Sequence, residues 1–289
     1  MFFAKGVRTV SSFSEWMASL RSSAHLTRAT KAVLRIIESD PEEAAYCSAQ
    51  ALADLADVNV ATVVRAAQAL GYSGWPAFSA DIRSRFLASL SSRSLYLHNR
   101  RTGMLATSID KDIELLERMR TELDESALNT MAEHIISAES VGVFATGSYA
   151  APGMQLAHVA QMLGYRVRLH SGSVTSMVNE VNLMTPRDCF FAIALWKSSR
   201  AIVRLAEAAH EKGAKVLVIA DRRNSLTEIS DEFALVPAES SELISSLVCA
   251  TSAIEYLLGC LARRDEEQTQ DMLGRIDELW GITSAITEE

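Results

Sequence analysis

One predicted helix of this chain carries a small polar face that could bind nucleic acid. In the stretch ADVNVATVVRAAQALGY, Asn59 is suited to cap a helix N-terminus and Gly71 is suited to end a helix in a left-handed conformation. The sequence therefore predicts a helix over Val60–Leu70. A second helix, predicted over Ala49–Ala56 and capped by Ser48, ends only about two residues earlier, so the pair forms a helix–turn–helix.

The two faces of the predicted helix carry different residue types. Apolar residues recur at helical spacing and are expected to face the core: Val63, Val64, Ala67 and Leu70. The candidate DNA-binding face combines short residues with hydrogen-bonding groups: Asn59, Ala61, Thr62, Arg65 and Gln68. Short side chains let a helix approach base edges, Arg and Gln can read those edges, and Thr can hold a phosphate. The pattern favours DNA recognition, although a helix that merely turns its polar side to water would share it.

The charge distribution is consistent with a nucleic-acid contact at one end of the chain. The net charge is -8, but residues 1–101 hold 12 Lys/Arg against 8 Asp/Glu, whereas the remainder holds 16 against 28. A basic first third suits DNA binding confined to that part, although chance composition could also produce so modest an excess. Arg28 and Lys31, on a helix predicted over Arg28–Ser39, are candidate phosphate contacts.

The span Leu26–Phe86 resembles the N-terminal domain of RpiR-type bacterial transcription regulators. The matching residues run LTRATKAVLRIIESDPEEAAYCSAQALADLADVNVATVVRAAQALGYSGWPAF, with DPEE, SxxxLA, ATVVR and LGYSGW in order. The resemblance implies a winged-helix-like, all-helical DNA reader that is used as a dimer. Such domains usually have Gly in the turn where this chain has Asp57, and Asp tolerates left-handed geometry better than most residues. We therefore expect the turn to persist with some strain.

Residues 111–289 alternate β-rich runs with helical runs, which predicts a parallel sheet wrapped by helices. Strands are expected at Ser140–Thr146, Tyr165–His170, Cys189–Leu195, Val216–Ala220 and Glu232–Val236. Helices are expected at about 149–163, 173–184, 199–212 and 240–263, followed by a charged helix over Glu266–Glu289. The predicted fold class is α plus α/β, with an all-helical N-terminal domain and an αβα sandwich behind it.

The residues 125–265 resemble the sugar isomerase (SIS) domain that follows the DNA reader in the RpiR family. The resemblance rests on VGVFATGSYAAPGMQLA, NLMTPRDCFFAIA, EKGAKVLVIAD and NSLTEISDEFALVPAES. It implies a five-stranded parallel αβα sandwich that binds a small metabolite, usually a phosphosugar, at strand C-termini beside helix N-termini. Open parallel sheets have crevices there, and free helix N–H groups attract anions.

The predicted organisation has four segments. They are a helix-turn-helix DNA-binding domain (1–86), a linker with a helix (87–124), a SIS-like effector-binding and dimerisation domain (125–265) and a C-terminal helix (266–289).

Both loops that would bind the effector depart from the family pattern. The first family loop reads about GxGxS, and here Tyr149 stands at the serine position. The second reads about SxSGxT, and its two serines and its glycine are replaced by Ala194, Trp196 and Lys197. The candidate effector-binding residues are Gly147, Ser148, Tyr149, Trp196, Lys197, Ser198, Ser199 and Arg200.

Two interpretations of this crevice remain open. In one, it binds a different ligand, with Trp196 and Tyr149 stacking on it and Lys197 or Arg200 pairing with an acidic group. In the other, it binds no ligand and the domain only dimerises. A standard phosphosugar is favoured less than either.

The sequence as a whole favours a DNA-binding transcriptional regulator that senses a small metabolite. We expect a homodimer, or a tetramer, that binds a double-stranded DNA operator. The alternative is an enzyme similar to sugar-phosphate isomerases, in which Glu180 or Glu255 would be the base, but the altered loops argue against turnover. No cofactor and no metal are expected, because the histidines and the four cysteines lack ligand spacing. Without a recognisable signal peptide or a run of about 18 apolar residues, we expect a cytoplasmic protein that does not associate with membranes.

Overall fold

The chain folds into two compact units, one built of helices in its described residues and the other built on a parallel sheet. The structure, a computed structural model, describes residues 12–23, 26–101, 108–239 and 245–283. No helix within these ranges combines the length and the apolar character that crossing a membrane requires.

Short helices make up the N-terminal unit. In its described residues they are α1 (Phe13–Ser23), α2 (Arg28–Ser39), α3 (Pro41–Tyr46), α4 (Ala49–Leu55), α5 (Val60–Ala69), α6 (Trp75–Ser89) and α7 (Ser92–Arg101). Helix α2 has the predicted bounds, whereas α3 was not predicted, because Pro41 was expected only to end α2. Helix α3 forms because the Asp40 side chain accepts a 2.9 Å hydrogen bond from the Glu43 amide and caps the helix N-terminus. Pro41 then occupies the first helical turn, where proline is favoured.

The helices of this unit enclose one apolar core. Its largest fully buried side chains are Met17, Leu34, Ile37, Leu52, Phe78 and Ile82. Helix α7, which lies in the predicted linker, packs on α3 in this unit. Its buried His98 contacts the Tyr46 hydroxyl at 2.9 Å and the Glu42 carboxylate at 3.0 Å.

Five parallel strands form the sheet of the second unit, as predicted. They are β1 (Ser140–Phe144), β2 (Val167–His170), β3 (Asp188–Ala194), β4 (Lys215–Ala220) and β5 (Glu232–Leu235). Their spatial order is β2-β1-β3-β4-β5, and every neighbouring pair is parallel. Central strand β3 is buried along its whole length, which accounts for its continuous apolar run.

Helices cover both faces of this sheet. They are α8 (Ser108–Glu122), α9 (Glu125–Ser137), α10 (Ala150–Met162), α11 (Val174–Leu183), α12 (Arg200–Glu211), α13 (Ser225–Ile229), α14 (Val248–Arg264) and α15 (Glu266–Thr283). Helix α13 was not predicted; it is one short turn held by a capping box at Asn224. The helix expected from residue 240 begins at Val248, and residues 240–244 and 284–289 lie outside the described ranges.

The sheet changes its winding direction between β1 and β3. Strand β1 is followed along the chain by β2 on one side of it, whereas β3 lies on its other side. In open parallel sheets the loops that leave the carboxyl ends of two such strands diverge toward opposite faces, so a crevice is expected between the loops after β1 and β3. Both predicted effector-binding loops follow these two strands.

Candidate functional site

Helix α5 is fixed at both ends by its own sequence. The Asn59 side chain accepts a hydrogen bond from the Thr62 amide at 2.9 Å and caps the helix N-terminus. At the other end Leu70 is the C-cap, and Gly71 takes a φ of 91°, where a side chain would be strained. The helix therefore spans ten residues and ends one residue before the predicted Leu70.

The turn that precedes α5 depends on Asp57. This residue has a φ of 50°. Two amides after α4 donate hydrogen bonds to carbonyls of α4: Val58 to Ala53 at 3.0 Å and Asp57 to Asp54 at 3.3 Å. These two bonds form a Schellman motif with Asp where glycine is usual. The expected left-handed turn is present.

The faces of α5 divide largely as predicted. Ala61, Arg65 and Gln68 are exposed, and Thr62 is half-buried. On the inner side Val63 and Ala67 are fully buried, whereas the predicted core residues Val64 and Leu70 are only half-buried. Ala66 is also fully buried, although it was not predicted to face the core. The polar face is therefore open to solvent.

Hydrogen bonds link the polar residues along the outer face of α5. Thr62 donates from its hydroxyl to Asn59 at 2.9 Å, and Arg65 donates from Nη2 to that hydroxyl at 3.2 Å. The guanidinium is thereby drawn toward the helix N-terminus, where the helix dipole favours anions. On α2, which packs on α5, Arg28 and Lys31 are exposed. This unit thus offers cations and hydrogen-bonding groups on two packed helices.

In the second unit, the loop after β1 forms a single 3₁₀ turn, Gly147–Tyr149, before α10. Gly147 and Ser148 are exposed, and Gly147 has a φ of 62°. Tyr149 is half-buried, with its ring against the sheet core. Among the described side chains, none caps α10 at Tyr149 or α12 at Ser199, so both helices direct uncapped N-termini to this edge.

The loop after β3 contains a strained turn. Trp196 has a φ of 57°, and the Lys197 amide donates to the Leu195 carbonyl at 2.6 Å, which together define a γ-turn. A left-handed residue with a side chain costs roughly 1–2 kcal/mol. The family glycine aligns with Lys197, so the position with glycine-like geometry lies one residue earlier than the sequence comparison suggested.

A buried ion pair holds this turn in place. Arg222 donates from Nη1 to both carboxylate oxygens of Asp221, at 2.8 and 2.7 Å, and from Nη2 to the Trp196 carbonyl. Only 7% of the Arg222 side chain and 10% of the Asp221 side chain are exposed. This Asp221–Arg222 pair, which we call the clamp, has no net charge, and both terminal nitrogens of Arg222 donate hydrogen bonds within the protein.

Tyr149 ends the 3₁₀ turn of the first loop, and its phenol lies near the Asp221 carboxylate. Burial, and next the nearby Asp221 carboxylate, raise the pKa of Tyr149 to about 12, so the phenol keeps its proton at neutral pH.

The remaining candidates belong to the loop after β3 and the start of α12. Lys197 and Arg200 are exposed, and the Lys197 ammonium lies 4.5 Å from the centre of the Trp196 ring. Ser198 and Ser199 are half-buried. The predicted residues of the two loops thus follow the carboxyl ends of β1 and β3, where Lys197 and Arg200 are exposed and the Asp221–Arg222 ion pair is buried.

Two family models match the chain. Residues 17–89 match the helix-turn-helix domain of the rpiR family, and residues 134–258 match the SIS domain. The chain carries the two domains of an RpiR-type transcriptional regulator.

Solved structures of two bacterial transcription factors are among those similar to it. The Vibrio vulnificus NanR protein complexed with ManNAc-6P has a TM-score of 0.61 and 18% identity, over 94% of this chain and 99% of that one. The sugar isomerase domain of an RpiR transcription factor from Sphaerobacter thermophilus has a TM-score of 0.57 and 22% identity, over 59% of this chain and 96% of that one. At these identities the likeness supports the fold.

Glu180 and Glu255, the two carboxylates considered as the base of an isomerase, each contact a neighbouring side chain. Glu180 lies 3.6 Å from His170, and Glu255 accepts a 2.7 Å hydrogen bond from Gln155 on the surface. Within the described ranges no group of three or more His, Cys, Asp or Glu residues could hold a metal.

Sequence reasoning missed three residues of the regulator's crevice: Asp221, Arg222 and Ser245. A signal was available for the first two, because adjacent opposite charges directly follow the apolar run of β4, at the carboxyl edge of the sheet. Ser245 carried no such signal, since its approach to Tyr149 depends on a contact distant in sequence.

Proposed function

We propose that this regulator binds operator DNA by inserting α5 into the major groove. The observation that carries the proposal is the solvent-exposed side formed by Ala61, Arg65 and Gln68, on a helix that is capped at both ends and buried on its other side. Small residues allow close approach of the backbone, and Arg and Gln supply base-reading groups. Arg28 and Lys31 on α2, together with Asn59 and Thr62 at the start of α5, contact phosphates and set the register.

In the second unit, we propose that the crevice between β1 and β3 binds a small effector that differs from a standard phosphosugar. Two uncapped helix N-termini favour an acidic group there, and Lys197 and Arg200 provide cations at its rim. Three serines of the family loops are replaced by Tyr149, Ala194 and Trp196, and the buried Asp221–Arg222 pair adds no net charge. The ligand is therefore expected to carry less charge than a phosphate dianion.

The proposed regulator works as a homodimer that presents two α5 helices to half-sites about 34–36 Å apart. Effector binding then changes the relative placement of the two helices. By thermodynamic linkage, DNA and effector alter each other's affinity by the same factor.

The proposal is tested by fluorescence anisotropy with a duplex that the purified protein selects from a random library. If α5 and its flanking cations neutralise six or more phosphates, affinity falls by about a thousandfold or more between 50 and 200 mM salt. Selection of no duplex, or an affinity independent of salt, would contradict DNA binding. Conversion of a sugar phosphate by the same preparation would instead favour the isomerase alternative.

A further inference from the structure

Helix α8 carries an apolar stripe on its outer side. Ile109, Ile113 and Leu116 are 67%, 50% and 38% exposed, and their spacing of four and then three residues places them on one face of the helix. Arg120, which is also exposed, continues the same face four residues later. Alternating steps of four and three residues are the spacing along which two α-helices pair in a coiled coil. The stripe therefore fits a second helix with the same spacing.

Contacts made by other residues of α8 keep the stripe facing outward. Leu115 is fully buried in the core that α8 shares with α14. Asp112 accepts a 2.6 Å hydrogen bond from the Ser246 hydroxyl, and Arg118 donates a 2.8 Å hydrogen bond to the buried Glu239 carboxylate. Rolling the helix about its axis to bury the stripe would break these bonds.

The charges at the two ends of the stripe favour a second copy of α8 as the partner. Arg120 lies at its carboxyl end, and Asp110 follows Ile109 at its amino end. In an antiparallel pair related by a two-fold axis, opposite ends meet, so Arg120 of one protomer approaches Asp110 of the other. A parallel pair would instead bring like charges together and align the two helix dipoles in the same direction.

We propose that the α8 stripe is a docking surface for the same stripe of a second copy of this chain, with the two α8 helices antiparallel. This inference rests on the homodimer of the proposed function and names a surface that forms it. Burial of the three apolar side chains against their symmetry mates provides the hydrophobic contact. The Arg120–Asp110 pairs set the direction of the helices.

A charge in the middle of the stripe should separate the protomers. Ile113→Glu places two carboxylates, one from each copy, in the apolar contact. Analytical ultracentrifugation of the full chain should then show a dimer dissociation constant at least about a hundredfold higher than that of the wild type. Val178→Glu on α11 is the matched control, because Val178 is about equally exposed in the same unit, and it should leave the dissociation constant unchanged. Circular dichroism checks that both variants fold.

An exchange of charges tests the antiparallel direction. Arg120→Asp gives each homodimer two Asp–Asp contacts, and Asp110→Arg gives each homodimer two Arg–Arg contacts. Each variant alone should therefore dimerise about threefold more weakly than the wild type, or weaker still. In an equimolar mixture every contact of a heterodimer joins an Asp to an Arg, so heterodimers should form with the wild-type dissociation constant. Sedimentation with one variant fluorescently labelled measures them.

A dimer that survives Ile113→Glu would overturn the proposal, and so would an equal loss in Val178→Glu. Failure of the two charge variants to form heterodimers would exclude the antiparallel pair, and it decides the matter if Ile113→Glu does not fold. A wild type that is monomeric at every concentration would also overturn the proposal. The stripe would then serve a different protein or a contact within its own chain.

The duplex-binding assay separates this inference from the proposed function. If the wild type selects no duplex, DNA contact by α5 is refuted whatever the oligomeric state. If the wild-type dimer binds the duplex and Ile113→Glu is still a dimer, only the role of the stripe is refuted. The expected result is that Ile113→Glu binds one half-site but loses the preference for two correctly spaced half-sites.

Discussion

Replacing Arg65 by alanine is expected to weaken duplex binding by about 1–3 kcal/mol, which is roughly tenfold to a hundredfold. Arg65 is the long hydrogen-bond donor on the exposed face of α5, and its guanidinium is already oriented toward the helix N-terminus by Thr62. A base contact made by such a side chain has no substitute among its short neighbours. Fluorescence anisotropy against the selected duplex and against base-substituted versions measures the loss and the relaxed specificity.

The thermal stability of Arg65→Ala should be unchanged, because the side chain is exposed and alanine is the best helix former. Arg187→Ala is the matched control, because it removes another exposed arginine, this one from the sheet unit, with 70% of its side chain exposed. Wild-type affinity in Arg65→Ala, or an equal loss in Arg187→Ala, would exclude Arg65 from base reading.

The replacement Arg222→Met is expected to lower the free energy of unfolding by about 3–5 kcal/mol. Removing the guanidinium breaks the ion pair with the buried Asp221 carboxylate and the hydrogen bond to the Trp196 carbonyl. The strained turn at Trp196 also loses the contact that stabilises its left-handed backbone. Urea denaturation followed by circular dichroism gives the change.

The control for this measurement is Arg204→Met, which breaks an exposed ion pair on α12. Half of the Arg204 side chain is accessible, so its pairing with Glu207 at 3.1 Å should contribute less than about 1 kcal/mol. The double variant Asp221→Leu/Arg222→Met should be more stable than Arg222→Met alone, because no buried charge remains. Equal stability of Arg222→Met and Arg204→Met would show that the clamp is not a structural anchor.

Much of the fold followed from local signals in the sequence. The Asn59 and Gly71 caps located α5, and the apolar runs located all five strands to within two residues. Helix α3 escaped prediction because the Asp40-Pro41 pair reads as a helix end as readily as a helix start. Periodicity also placed Leu70 in the core, although it became the half-buried C-cap of α5.

The crevice was only partly predictable. Strand ends place the two loops together in any parallel sheet with this winding, so Tyr149 and Trp196 could be paired from the sequence. The γ-turn and its clamp could not, because they depend on a contact between Arg222 and a backbone carbonyl 26 residues away. Long-range hydrogen bonds to backbone atoms carry no residue pattern.

The central claim, that the exposed side of α5 lies against DNA, is tested most directly by photo-crosslinking. A benzophenone amino acid is placed at Ala61, at Gln68 or, as a control, at exposed His158 on α10, and each variant is irradiated with the selected duplex. Crosslinks are predicted from residues 61 and 68 and none from 158. Variants that retain duplex binding but give no crosslink from 61 or 68 would contradict the account.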